Sequence, residues 1–186
     1  MRSLVEIDRT PIDPKPLRGF LLEQSENLTL IHFVDPDMFE VNGYSAIRNS
    51  DICEMKRYER DSFMVRALEL KHIRPKRKRG ISIANWPELL CSANSLFSLI
   101  AVHQEALDSE VCYIGRLAAM TSRSFGLTEI DPDARWTRSR SYQFKHLTRV
   151  DFGGGYENAL ARVSAEDARL KRGRPQRLSP RAAHAI

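Results

Sequence analysis

Two acidic triplets are the residues whose type and spacing could most readily do chemistry. Asp35-Pro36-Asp37 and Asp131-Pro132-Asp133 each place two carboxylates two residues apart, a pairing that can bind a cation or serve acid–base catalysis. Proline and aspartate also form tight turns, because proline fixes φ and aspartate accepts hydrogen bonds from nearby backbone amides. No further acid or histidine recurs in register near the triplets. We therefore predict a turn, not a metal site, at both positions.

The sequence shows no grouping of a nucleophile, a base and an orienting acid. Five histidines are scattered along the chain outside any catalytic motif: His32, His72, His103, His146 and His184. His32 and His103 fall in predicted strands and are expected to be packed, hydrogen-bonded residues. The three cysteines, Cys53, Cys91 and Cys112, match no zinc spacing and are expected to be buried thiols. We predict that the protein is not an enzyme and has no catalytic, cofactor-binding or metal-binding residues and no cofactor.

A run of three glycines, 153–155, could cradle an anion with its backbone amides. It lacks the following Lys-Ser/Thr of a P-loop, and no dinucleotide-binding fingerprint surrounds it. We predict that the run is a hinge between a strand and a helix, with Tyr156 at the start of the helix.

Basic residues are concentrated in two segments. Residues 71–79 and 169–186 each hold six Lys or Arg and no acid, which leaves 17 bases and 24 acids elsewhere. Such runs are usually solvated, and they also attract polyanions. The sequence 171–175 (KRGRP), with Arg177 beyond it, resembles an AT-hook, a motif that binds the minor groove of A·T-rich DNA. The candidate nucleic-acid-binding residues are Arg74, Lys76, Arg77, Lys78, Arg79, Lys171, Arg172, Gly173, Arg174, Pro175 and Arg177.

The chain contains an internal repeat. When Gly19 is aligned with Gly115, each Asp-Pro-Asp triplet begins 16 residues after its glycine. Adding two residues to the loop after the second triplet also aligns Tyr44 with Tyr142. A repeat found in this way indicates a structural unit that occurs more than once. We infer two copies of one small β-rich unit.

Each copy is predicted to contain five short strands, because β-branched and aromatic residues alternate with turn-forming segments. The predicted strands span residues 3–8, 17–25, 28–35, 43–48 and 51–55 in the first copy, and 98–105, 111–121, 124–131, 140–145 and 147–151 in the second. Helices are predicted at 60–72 and 156–170, after each set of strands, and at 87–97, before the second set.

These elements predict a mainly β fold of two tandem five-stranded barrels, each followed by a helix, with a further helix before the second barrel. The predicted organisation is a first barrel with its helix at 1–73, a basic linker at 74–85, a second barrel with flanking helices at 86–168, and a basic disordered tail at 169–186.

The strand pattern is similar to the Sm-like family of small, SH3-like barrels. The residues that carry this resemblance are Gly19, Leu21, Leu30 and Asp35 in the first copy and Gly115, Leu117, Leu127 and Asp131 in the second. The run 147–157 (LTRVDFGGGYE) resembles the closing segment of uncharacterised bacterial proteins with two tandem Sm-like barrels. The family resemblance implies RNA binding and ring assembly through the last strands as functions to test.

Two functions follow as hypotheses. The first is a non-enzymatic interaction or scaffold module that binds a protein partner or another copy of itself through exposed strand edges. The alternative is a nucleic-acid-binding protein that uses the basic linker and the AT-hook-like tail. The N-terminus has acids where a signal peptide has an apolar stretch, and no apolar run is long enough to span a membrane, so we expect a cytoplasmic protein without membrane contacts.

Overall fold

The computed structural model describes residues 3–173, with side chains to residue 170, and contains ten strands and three helices. The strands are β1 (Leu4–Arg9), β2 (Asp13–Gln24), β3 (Leu28–Asp35), β4 (Glu40–Arg48), β5 (Glu54–Arg57), β6 (Ile100–His103), β7 (Cys112–Met120), β8 (Ser124–Ile130), β9 (Trp136–Gln143) and β10 (Arg149–Phe152). The helices are α1 (Phe63–Leu70), α2 (Trp86–Leu96) and α3 (Gly155–Gly173). The predicted mainly β fold is confirmed, and each predicted strand and helix has a counterpart.

All ten strands belong to one open antiparallel sheet with the order β5-β1-β2-β3-β4-β10-β6-β7-β8-β9. The sequence predicted two separate closed barrels. The strand pairing does not form them and gives one open sheet instead. Strand β4 of the first half pairs with β10 of the second half, from Tyr44 opposite Phe152 to Ile47 opposite Arg149. The sheet begins at β5 and ends at β9.

The two halves repeat the same order of strand pairing, β5-β1-β2-β3-β4 and β10-β6-β7-β8-β9. Gly19 and Gly115 hold matching positions, since each lies opposite the first strand of its half. The predicted match of Tyr44 with Tyr142 is wrong: Tyr142 lies opposite Phe125, in the position that Ile47 takes opposite Thr29. Counted between paired residues, this turn is one residue shorter in the second half, because Ile130 pairs with Trp136 whereas Val34 pairs with Val41. The sequence alignment had required two additional residues there.

Both Asp-Pro-Asp triplets form turns, as predicted. Asp35 Oδ1 accepts hydrogen bonds from the amides of Asp37 and Met38, and Asp131 Oδ1 accepts them from Asp133 and Arg135. Each leading carboxylate is therefore bound to the backbone of its own turn.

The largest hydrophobic core crosses the junction between the halves. It combines Leu28, Leu30 and Ala46 of the first half with Ile100, Val102, Phe125, Leu127, Val150 and Phe152 of the second. One side of α2 packs into it through Leu89, Leu90 and Ala93, and the helix begins with Asn85 as N-cap, whose side chain accepts from the Glu88 amide. The segment 74–85, expected to link two domains, contributes Ile81 and Ile83 to this shared core.

The glycine run connects β10 to α3, as predicted, and Gly153 has a φ of 75°. Gly43 of β4 also has a positive φ, of 77°, and a Cβ placed there would lie 2.6 Å from the backbone nitrogen of Gly154. Only glycine therefore allows β4 to approach this connection so closely. Within residues 3–173, no helix has both the length and the apolar character required to cross a membrane.

Candidate interaction site: two open sheet edges and a buried ion cluster

A buried ion cluster lies where the two halves meet. Arg9, which has no exposed surface, is at the end of β1, and its guanidinium pairs with both Glu105 and Asp13. Arg9 Nη2 donates to Glu105 Oε1 at 3.0 Å and to Asp13 Oδ2 at 2.6 Å. Glu105 follows β6, so this pairing connects the first and second halves by side chains in addition to the β4–β10 ladder.

The second arginine of the cluster, Arg149, comes from β10. Its Nη1 lies 3.2 Å from Glu105 Oε1, and its Nε lies 3.3 Å from Asp151 Oδ2. His103 of β6 completes the arrangement, with Nε2 3.0 Å from the same Asp151 oxygen. Thr148 Oγ1 donates to Glu105 Oε2 at 2.9 Å. The buried carboxylates are therefore held by charged and neutral donors from several strands.

The cluster stabilises the ionised form of its acids. Burial alone would raise the pKa of Glu105, but the hydrogen bond from Arg9 and the charges of Arg149 and Arg9 lower it below its ordinary value. Burial likewise opposes ionisation of Asp151, yet the charges of Arg149 and His103 hold the pKa of that carboxyl well below its usual range. The expectation that His103 is a packed, bonded residue is confirmed, because it is buried and lies beside Asp151.

One end of the sheet is the edge strand β5. Its inner side pairs with β1, and no other strand among the described residues pairs with its outer side. Glu54 and Lys56 on this strand form an ion pair at 2.9 Å and are mostly exposed, at 54% and 66%. The edge therefore presents charged side chains and free backbone groups to solvent.

The other end is β9, which is longer and more basic. Its inner side pairs with β8, and all of its residues except Tyr142 are exposed. Arg138 and Arg140 alternate with serines along it, and Arg135 immediately precedes it. Residues 134–150 contain five bases and no acid. This basic run is less dense than the segments 71–79 and 169–186, so it was not among the predicted basic segments.

The predicted basic linker packs against both halves of the chain. Arg77 Nε donates to Glu23 Oε2 at 2.8 Å, the Lys76 amide donates to His32 Nδ1, and the Lys78 ammonium lies 5.9 Å from the Phe97 ring centre. Arg74 and Arg79 are exposed. Four of the five linker candidates thus keep exposed side chains, while Arg77 is half-buried in its ion pair.

The candidates in the C-terminal segment lie only partly within the described residues. Lys171, Arg172 and Gly173 continue the backbone of α3. Arg174, Pro175 and Arg177, which complete the AT-hook-like sequence, lie outside the described residues.

The three cysteines are exposed, which corrects the expectation of buried thiols. Cys112 begins β7 directly opposite His103, near the ion cluster. Desolvation by the surrounding protein and the nearby Asp151 charge raise the pKa of its thiol, so the unreactive thiol form is favoured.

Comparison with known proteins gives no relative from which to transfer a function. No protein-family model matches the chain, and no curated protein or solved structure matches it either.

Proposed function

We propose that this protein is a non-enzymatic interaction module that binds an extended segment of a partner protein along the open edge of β9. The observation that carries the proposal is the open sheet, in which edge-to-edge pairing of β4 with β10 already joins the two halves. A strand with one free side offers a row of backbone donors and acceptors to a further strand. In this proposal, the halves are duplicated Sm-like units that share one open sheet, which the repeated order of strands supports.

The charges on β9 favour an acidic partner. Arg138 and Arg140 are exposed on this edge, and Arg140 is 52% exposed despite its proximity to Glu129. Cross-strand pairs of opposite charge stabilise a sheet, whereas like charges directly opposite one another destabilise it. A partner strand with glutamate or aspartate at alternate positions would match these arginines.

The same charges disfavour pairing between two copies of the chain. In the β4–β10 ladder, Ser45 lies opposite Asp151. Because the two halves repeat the same strand order, Arg140 on β9 holds the position equivalent to Ser45 on β4. Likewise, Lys56 on β5 holds the position equivalent to Asp151 on β10. Two cations would therefore face each other if β9 of one copy paired with β5 of another in that register. We infer a different protein as partner, with self-association as the weaker alternative.

Peptide binding tests this function directly. A synthetic peptide of alternating glutamate and valine is expected to bind the full chain and to shift the amide resonances of β9, while its lysine–valine counterpart does not bind. Replacing Arg138 and Arg140 by glutamate should reverse this preference. Equal binding of both peptides, or shifts confined to other strands, would contradict the proposal.

Nucleic-acid binding is the second candidate, because Arg74, Lys76, Lys78 and Arg79 expose four cations within six residues. The test is a gel shift with duplex DNA and RNA at two salt concentrations. It compares the full chain, a version ending at residue 168, and a full-length variant with Lys76, Lys78 and Arg79 replaced by glutamine. Salt-sensitive binding that weakens in either altered chain would support this function, and its absence in the full chain would exclude it.

A further inference from the structure

A small cavity beside the start of α3 is separate from the β9 edge. It has a volume of about 160 Å³ and lies between β4, β10 and the first turn of α3. Four aromatic residues line it, namely Phe33, Tyr44, Phe152 and Tyr156. Its charged lining residues are Arg149, Asp151 and Glu157. The combination of aromatic faces and carboxylates is suited to a cation.

Glu157 is the group in this cavity without a charged partner. The described residues provide no ion pair for its half-buried carboxylate, which lies close against Gly154, where a side chain would collide with it. Burial, together with the Asp151 charge, raises the pKa of Glu157 above its ordinary value. A bound cation would offset both effects, because its positive charge would attract the buried Glu157 carboxylate and screen the repulsion from Asp151.

The charges around the cavity leave a negative excess. Arg149 is already shared by Glu105, Asp151 and, at 3.9 Å, Asp13, and Arg9 is bound to two of these acids. Four carboxylates, including Glu157, therefore surround three basic groups, namely two guanidinium groups and the His103 imidazole. Asp151 Oδ1 is buried and accepts no hydrogen bond. The local charge thus favours a cationic occupant over an anionic one.

Two other classes of ligand fit the cavity less well. An anion at the helix start would use the Gly155 amide, but this amide already donates to Asn42 Oδ1 at 2.7 Å. A metal ion would need several ligands together, and residues 3–173 contain no group of three or more His, Cys, Asp or Glu placed to hold one. An organic cation requires neither arrangement.

We propose that this cavity binds an organic monocation, a guanidinium or primary ammonium group. Glu157 is its direct anionic partner, Asp151 supplies a second negative charge, and the aromatic side chains of Phe33 and Tyr156 contact its apolar faces. The open rim at Tyr156, which is 56% exposed, provides access from solvent. This site does not depend on partner binding at β9.

An NMR titration of the full chain with methylguanidinium tests the site, and neutral methylurea serves as a control of nearly the same shape. Methylguanidinium is expected to give saturable shifts of the amides of Ser45 and residues 154–157 in the millimolar range. Glu157→Gln should weaken binding by about fivefold or more, since it removes the charge and keeps the shape. Glu166→Gln removes a charge from an exposed position on the same helix and should leave binding unchanged.

Equal shifts with methylurea, unchanged affinity in Glu157→Gln, or no saturation by about 50 mM would overturn the proposal. The peptide acetyl-Gly-Arg-Gly-amide distinguishes the source of the cation. If it binds at least as tightly as methylguanidinium, an arginine side chain of a protein segment is the ligand. If only small cations bind, the ligand is a free amine or guanidine; either result supports the site.

Discussion

The guanidinium of Arg9 and the carboxylate of Glu105 form a buried, two-point ion pair between residues 96 positions apart in the chain. Arg9 belongs to the first half of the sheet and Glu105 to the second. Because neither side chain has more than 2% exposure, water contributes little to their solvation. The pair therefore gives each buried charge a partner from the other half, in addition to Asp13 beside Arg9 and Arg149 beside Glu105.

Glu105→Gln is expected to lower the free energy of unfolding by about 3 kcal/mol, because it leaves Arg9 and Arg149 buried with one carboxylate fewer. Urea unfolding followed by circular dichroism measures this change. Asp133→Asn is the control, since its pair with Arg135 is about 70% exposed on both sides and should contribute less than about 1 kcal/mol. Similar losses in the two variants would show that the buried pair has no special role.

Stability should fall as the solution is acidified. The pKa values of Glu105 and Asp151 are lower in the folded chain than their ordinary values of 4.5 and 3.8. Groups of this kind stabilise the fold above the ordinary pKa, and this contribution is lost as the pH falls through the lowered one. Urea unfolding between about pH 6 and pH 3 should show the decrease, with a shallower dependence in Glu105→Gln. An unchanged slope in that variant would assign the pH dependence to other acids.

Gly43→Ala should destabilise the fold more than Gly80→Ala. Both glycines have a positive φ, which costs another residue about 1–2 kcal/mol. A Cβ at Gly43 would also meet the backbone of the β10–α3 connection, whereas at Gly80 the nearest atom is the end of the Leu96 side chain at 3.4 Å. Thermal or urea unfolding of both variants gives the comparison, and equal losses would mean that the connection moves away without cost.

Charge reversal at the open edges tests whether Lys56 and Arg140 keep copies apart. Lys56→Glu or Arg140→Glu should increase self-association by placing opposite charges face to face, and the double variant should return to the level of the unaltered chain. Light scattering over a range of concentrations measures the assembly. Arg138→Glu is a control with the same charge change at a neighbouring position. No difference among these variants would exclude the proposed β9–β5 register.

The positions of strands and turns follow from the sequence because their causes are local. Alternating apolar residues specify the strands, and the Asp-Pro-Asp triplets specify turns through hydrogen bonds to amides two to four residues away. The hinge at the glycines and the N-terminus of α2 depend on similarly short distances along the chain. The AT-hook-like segment stays a prediction from the resemblance of its five-residue motif.

The tertiary structure decides how these elements combine. Pairing of β4 with β10 joins two predicted barrels into one sheet, and sequence patterns contain no information on which edges meet. The strand register also corrects the alignment of Tyr44 with Tyr142. A sequence alignment can place a gap at several positions in a turn, whereas each strand residue in the structure lies opposite one particular residue of the next strand. The ion cluster and the cavity at Glu157 bring together residues far apart in sequence, so only the folded chain reveals their charge and burial. The sequence alone determines the local elements and the overall excess of basic residues; long-range packing determines which charges are buried together and which edges stay open.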